Sequence, residues 1–140
     1  MKENNIRVLM VNPLERPKVV SIPNRIPAFK RLLCADNYYN GSIDIIIIDK
    51  NLSILRNRDG ALLDLQGNRK INGEIIAGPF CVIEFDEHGF ITSLSQENIR
   101  KYSKYFWNIE NFTDREVLLS YWEKFEEEIN SLEWECTLNS

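Results

Sequence analysis

Histidine occurs once in these 140 residues and cysteine three times, at Cys34, Cys81 and Cys136. No C-x-x-C pair is present, and a structural zinc site needs four nitrogen or sulfur ligands in paired spacings. No metal site is therefore expected. Cys34 and Cys81 stand in apolar stretches and are expected as buried, reduced thiols; Cys136 falls in a tail, 134–140, expected to be loose. Glycine is sparse, at six residues. None forms G-x-G-x-x-G or G-x-x-x-x-G-K-[S/T], which excludes the usual dinucleotide and P-loop cradles, and no cofactor is expected. The longest purely apolar run, Ile45–Ile48, is far short of the roughly 20 residues that cross a bilayer. Met1-Lys-Glu-Asn-Asn has no apolar stretch behind a basic one, so no secretory signal is read and a cytoplasmic protein is expected.

What is present is ordinary in bulk and uneven in charge. A hydrophobic content of 44% with 27% charged residues suits a globular chain, and the length suits one domain. Residues 1–70 hold 12 Lys/Arg against 7 Asp/Glu, whereas residues 71–140 hold 5 against 14. Net charges of +5 and −9 point to an interaction surface. Direct nucleic-acid binding is not expected, because the chain is acidic overall and its basic residues are scattered.

The pattern of elements predicts β-β-α-β-β-β-β-α-α, an α+β fold with a mostly antiparallel sheet and helices packed on one face. Ile6–Asn12 and Lys18–Ile22 read as a hairpin around Pro13–Pro17. Arg25–Ala35 reads as a helix after Asn24, with Pro27 in its first turn and Phe29, Leu32 and Leu33 on one face. Asp36–Gly41 reads as the turn that ends it. The apolar Ser42–Ile48 predicts a central strand buried on both faces, turning at Asp49–Asn51 into a strand at Leu52–Arg56. Residues 56–70 carry no clear periodicity. Glu74–Phe85 predicts a strand bent at Gly78-Pro79, followed by the Asp86–Gly89 turn and a returning strand at Phe90–Leu94. Ser95 is a helix N-cap, with Leu94 and Ile99 as its hydrophobic staple. Thr113 and Glu116 form a capping box for a helix over about 114–133. Leu118, Tyr121, Trp122, Phe125, Ile129 and Leu132 form its apolar stripe, expected to pack into the core.

Few residues suggest chemistry. His88, between Asp86-Glu87 and Gly89, could be tuned by carboxylates, but no nucleophile is tied to it by spacing, and Cys81 lies seven residues away across a turn. An enzyme is therefore not expected. Arg56, Asn57, Arg58, Arg69 and Lys70 concentrate guanidinium and ammonium groups in a Gly-punctuated segment. Such a segment could hold a phosphate or carboxylate ligand. Glu116, Glu123 and Glu127 share one side of the last helix, about 10 Å and then 6 Å apart along its axis. Such a row suits a protein-binding face, or simply a solvated one; a net charge of −4 is low for a mimic of nucleic-acid phosphates. Trp107 stands near a helix end, where partial exposure would suit a protein contact.

The "VNP…PKVVSI" hairpin, Asn57-Arg58, "IIAGPFCVI" (Ile75–Ile83) and "FITSLSQENIRKYSKYF" (Phe90–Phe106) together resemble domain of unknown function 3846, over about residues 6–106. That family comprises short proteins of phages, plasmids and conjugative elements of Gram-positive bacteria. The acidic helix 113–133 lies beyond the match. The family brings no activity with it. The resemblance implies a mobile-element accessory protein that acts by binding a host or element-encoded protein, with counter-defence as one possible role. Two readings follow. The first is a non-catalytic interaction protein using Trp107, Glu116, Glu123 and Glu127. The alternative is a protein that binds or sequesters a nucleotide-like or anionic ligand through the 56–70 segment.

Overall fold

A computed structural model describes residues 4–34 and 41–139, with side chains through Leu132. Residues 36–40 of the expected Asp36–Gly41 turn and the side chains of Trp134 and Cys136 lie outside these residues. Strands β1 (Asn5–Val11) and β2 (Lys18–Pro23) form the expected hairpin, followed by α1 (Ile26–Leu33), β3 (Ile43–Asp49) and β4 (Leu52–Asn57). Next come β5 (Gly67–Ile71), β6 (Glu74–Ala77), β7 (Phe80–Phe85), β8 (Ile91–Thr92), α2 (Gln96–Tyr105) and α3 (Asp114–Asn139). The α+β class and the order of elements are those predicted, with two refinements. The 74–85 strand divides at Gly78-Pro79 into β6 and β7, and the unassigned segment contributes β5. The Gly78 N–H donates to Gln66 O, and Pro79 has no N–H to offer a ladder, so the chain leaves one sheet and enters another at this point.

The main sheet is antiparallel, ordered β2-β1-β7-β4-β3, with β8 pairing β7. Strand β7 is its centre. Alternation assigns Leu9, Val11, Leu52, Ile54, Phe80 and Val82 to one face, where Tyr102 and Phe106 cover them. Ile6, Val8, Met10, Leu55, Cys81 and Ile83 line the other, under Phe29 and Leu33 of α1. The helices thus do not share a face. Both faces of β1 and β7 are apolar, so each needs cover, and α1 and α2 supply it from opposite sides. Burial pushes the Cys81 thiol up to about 12 and raises that of Cys34.

Strand β3, expected at the centre, is an edge. Ile46 and Ile48 pack toward α2, but Ile45 and Ile47 are exposed, Ile47 by 74%. An unbroken apolar run signals burial on both faces only where both are covered. Helix α1 has only eight residues and meets β2 and β4. Helix α1 starts one residue later than expected, with Arg25 as its N-cap, and the Asn24 side-chain amide donates to Ile91 O at 3.0 Å.

Strands β5 and β6 form a separate hairpin joined by Asn72-Gly73. Both turn residues have positive φ, 51° and 83°, the pairing that a two-residue turn between twisted strands favours. This hairpin packs through Ile71 and Ile76 onto the core around Phe80. Helix α3 rests on the hairpin's outer side. A Cβ at Gly67 would lie 2.9 Å from both Phe112 and Val117, so glycine lets the helix approach the strand. Ser120 Oγ accepts the Ile75 N–H at 2.9 Å. The helix continues to Asn139, through the tail expected to be loose. No Gly or Pro interrupts 114–139, so nothing in that stretch stops a helix.

Candidate functional site

The five residues grouped as a ligand-holding segment do not act together. Arg56 stands opposite Asp44 across the β3–β4 ladder. Its guanidinium meets Asp44 at 3.1 Å and Glu74 of β6 at 3.0 Å. Two carboxylates therefore already neutralise it, and it ties the small hairpin to the main sheet. Asn57 is buried, and its Oδ1 accepts the Asp59 N–H at 3.0 Å, an Asx turn that launches the following loop. Arg58 is exposed. These three line one wall of a cleft of about 360 Å³, and Tyr121, Lys124, Phe125 and Glu128 of α3 line the other. Acidic and basic groups alternate around it, so no single ionic sign dominates.

Arg69 lies elsewhere and does different work. It is only 1% exposed. Its Nε and Nη2 donate to Phe106 O at 3.1 and 2.9 Å, its Nη2 to Glu15 O at 2.7 Å, and its Nη1 to Asn68 Oδ1 at 3.0 Å. Phe106 is the C-cap of α2, where free carbonyls concentrate partial negative charge and a cation is favoured. Burial lowers the Arg69 pKa, and the Glu110 carboxylate acts against that shift. Asn68, fully buried, completes the network by donating to Val11 O and Gly78 O at 2.8 and 2.9 Å. Asn68-Arg69 thus fastens β5 to β1, to the β6–β7 junction, to the β1–β2 loop and to the end of α2. Lys70 is exposed, with its N–H toward Glu110 Oε2.

The partner-binding candidates also separate. Trp107 is 46% exposed, with the Arg16 guanidinium 4.5 Å above its ring, a cation–π contact. Glu116 is occupied in the predicted capping box. Its Oε1 accepts the Thr113 N–H at 2.9 Å, and its own N–H donates to Thr113 Oγ1 at 3.1 Å. The Thr113 N–H is the main cause holding the Glu116 carboxyl below its usual 4.5, with the Thr113 hydroxyl adding to it. This support is complete above that usual value and fades as pH falls through the lowered one. Fraying of the first turn of α3 should therefore increase on acidification, read as a fall in the protection factors of the Thr113 and Glu116 amides, each rate taken relative to the unstructured rate at the same pH. Glu116→Gln should flatten that pH dependence.

Glu123 and Glu127 are exposed, as is every residue from Glu123 to Leu132. The apolar stripe expected to enter the core does not enter it. Val117 and Ser120 face the hairpin, whereas Trp122, Phe125, Ile129 and Leu132 are exposed. Close packing on the small hairpin ends at Ser120, and beyond it Tyr121 is half-buried and Phe125 and Glu128 border the open cleft. At ~100° per residue, Leu118, Trp122, Phe125, Ile129 and Leu132 lie within about 40° of one line, roughly 130° round from the docked side. Glu116, Glu123 and Glu127 share a side, as expected, but it is the side opposite this stripe. Sequence reasoning identified the stripe and misassigned its partner. The only available signal was the absence of a second apolar element long enough to cover it.

His88 sits solvated in its turn, 3.5 Å from Glu87, with Asp86 Oδ1 accepting the His88 and Phe90 N–H groups. Cys81 is buried within the sheet, so the two do not meet. Among the described residues no group of three or more His, Cys, Asp or Glu is placed to hold a metal, and no helix is long and apolar enough to cross a membrane. No curated protein and no solved structure matches the chain. The profile of the domain of unknown function DUF3846 matches residues 6–107, most of the chain and all of the main sheet but Asn5, and the chain belongs to that family.

Proposed function

We propose that the protein is a non-catalytic interaction protein whose binding element is the C-terminal helix α3. The observation that carries this reading is the exposed apolar stripe of Trp122, Phe125, Ile129 and Leu132, aligned on a helix whose buried residues end with Ser120 after about two turns. Side chains of this size in one exposed row lose favourable burial unless something covers them. A helix segment without tertiary packing is also marginal in water, so a covering partner would stabilise both. The family resemblance supports a bacterial mobile-element setting, in which the partner would be a host or element-encoded protein. Binding of a nucleotide-like anion by the 56–70 segment is the weaker reading, since Arg56 is paired and Arg69 is buried.

The test is a variant carrying Trp122→Ser, Phe125→Ser and Ile129→Ser. Exposed residues contribute little to the free fold, so its melting temperature should stay within a few degrees of the parent's. Capture of a bacterial partner, compared side by side on immobilised parent and variant, should fall at least tenfold. A steep loss of melting temperature would instead mean that the stripe is covered in the free protein and is not a binding face.

A further inference from the structure

We infer that the occupant of the α3 stripe is a basic amphipathic helix, paired along α3 in coiled-coil fashion; this rests on the reading of α3 as the binding element. The positions 118, 122, 125, 129 and 132 are separated by 4, 3, 4 and 3 residues, the alternation that keeps a seam in line between two helices. Written as heptads, Trp122 and Ile129 take the a positions, and Leu118, Phe125 and Leu132 take d. The flanking positions then follow from the register. Glu126 falls at e and Glu128 at g, each about 80° from the centre of the seam, and both are exposed.

That flanking chemistry selects the partner. In a pair of helices the e and g residues of one face those of the other and set partner choice. Two antiparallel copies of α3 would set Glu126 against Glu126 and Glu128 against Glu128, and in a parallel pair Glu126 would face Tyr121, so a second copy gains no charge pairing in either orientation. A helix with Lys or Arg in these positions would neutralise both flanks. The same logic fixes its apolar face. Trp122 and Phe125 are bulky and adjacent on the seam, so the partner must offer small or flexible apolar residues opposite them and larger ones opposite Ile129 and Leu132. Trp122 is the anchor by type and by its central place. Glu123 and Glu127, on the far side, take no direct part and add only long-range attraction.

The probes are two four-heptad peptides with Ala at one central a and d pair and Ile at a and Leu at d elsewhere, one with Lys at e and g and the other with Glu there. Each is fluorescently labelled and titrated with the full-length protein. The Lys peptide should bind, its affinity should fall at least tenfold between 50 mM and 500 mM salt, and the Glu peptide should bind at least a hundredfold more weakly. Trp122→Ala should weaken the Lys peptide at least tenfold. Glu126→Lys with Glu128→Lys should invert the preference between the two peptides. Equal binding of both peptides, or none of the Lys peptide by a monomeric protein, would overturn the basic-helix assignment. So would a protein that sediments as a dimer whose Trp122→Ala variant is a monomer, although α3 would then still stand as an interface. If the Ser variant at 122, 125 and 129 melts far below the parent, the reading of α3 fails, and this inference with it.

Discussion

Replacing Arg69 with alanine should destabilise the protein by about 3–5 kcal/mol, the cost of removing a buried guanidinium whose charge-assisted hydrogen bonds satisfy neutral acceptors on three elements. The substitution strips donors from Phe106 O, Glu15 O and Asn68 Oδ1 at once, and each buried acceptor left unmet carries a desolvation penalty of ~1–3 kcal/mol. It also removes the cation at the C-terminal end of α2. Two companions separate these effects. Arg69→Met keeps much of the volume but no donor, and should fall nearly as far. Arg69→Lys keeps the charge but offers a single nitrogen, which cannot span three acceptors on different elements, and should recover only part of the loss. The measurement is urea unfolding, read as the shift in midpoint at constant slope. If Arg69→Ala unfolds at the parental midpoint, the network described around Phe106 is not a determinant of the fold.

The second large effect is expected at Phe80. It has no exposed surface, sits on the central strand β7, and meets the Phe106 ring edge-on with centroids 5.1 Å apart. Phe80→Ala should cost about 3–5 kcal/mol through lost burial and the cavity left behind, whereas Phe80→Leu should cost less than about 1.5 kcal/mol. Phe106 is the link between the two sites, its ring against Phe80 and its carbonyl on Arg69. The milder pair Phe80→Leu and Arg69→Lys should therefore be non-additive by about 0.5 kcal/mol or more. Strict additivity would mean that ring and carbonyl are held independently.

These two residues mark where sequence could and could not be read. Strands β1, β2, β4 and β7 were legible because their apolar residues alternate or run unbroken between turn signals, and Ser95 and Thr113 marked the starts of α2 and α3 by their capping chemistry. The β5–β6 hairpin was not, although Asn72-Gly73 is a turn signal. Its strand Gly67–Ile71 reads as polar because Asn68 and Arg69 are buried for hydrogen bonding rather than for apolar contact. Positive charge in a Gly-rich segment resembles an anion site until the acceptors are seen to be the protein's own carbonyls. The edge position of β3 and the solvated stripe of α3 escaped for a related reason. Apolar periodicity states that a surface will be covered and not what covers it.

That distinction is also the centre of the functional account, and amide hydrogen exchange on the free protein tests it most directly. Exchange tracks local opening, which is easiest where few buried contacts hold a segment. With Val117 and Ser120 docked and the rest of α3 solvated, amides at 117–121 should exchange slowly and those at 123–132 at least tenfold faster. Uniformly slow exchange from 117 to 132 in a monomer would mean that the stripe is already buried, and would contradict α3 as an open binding helix.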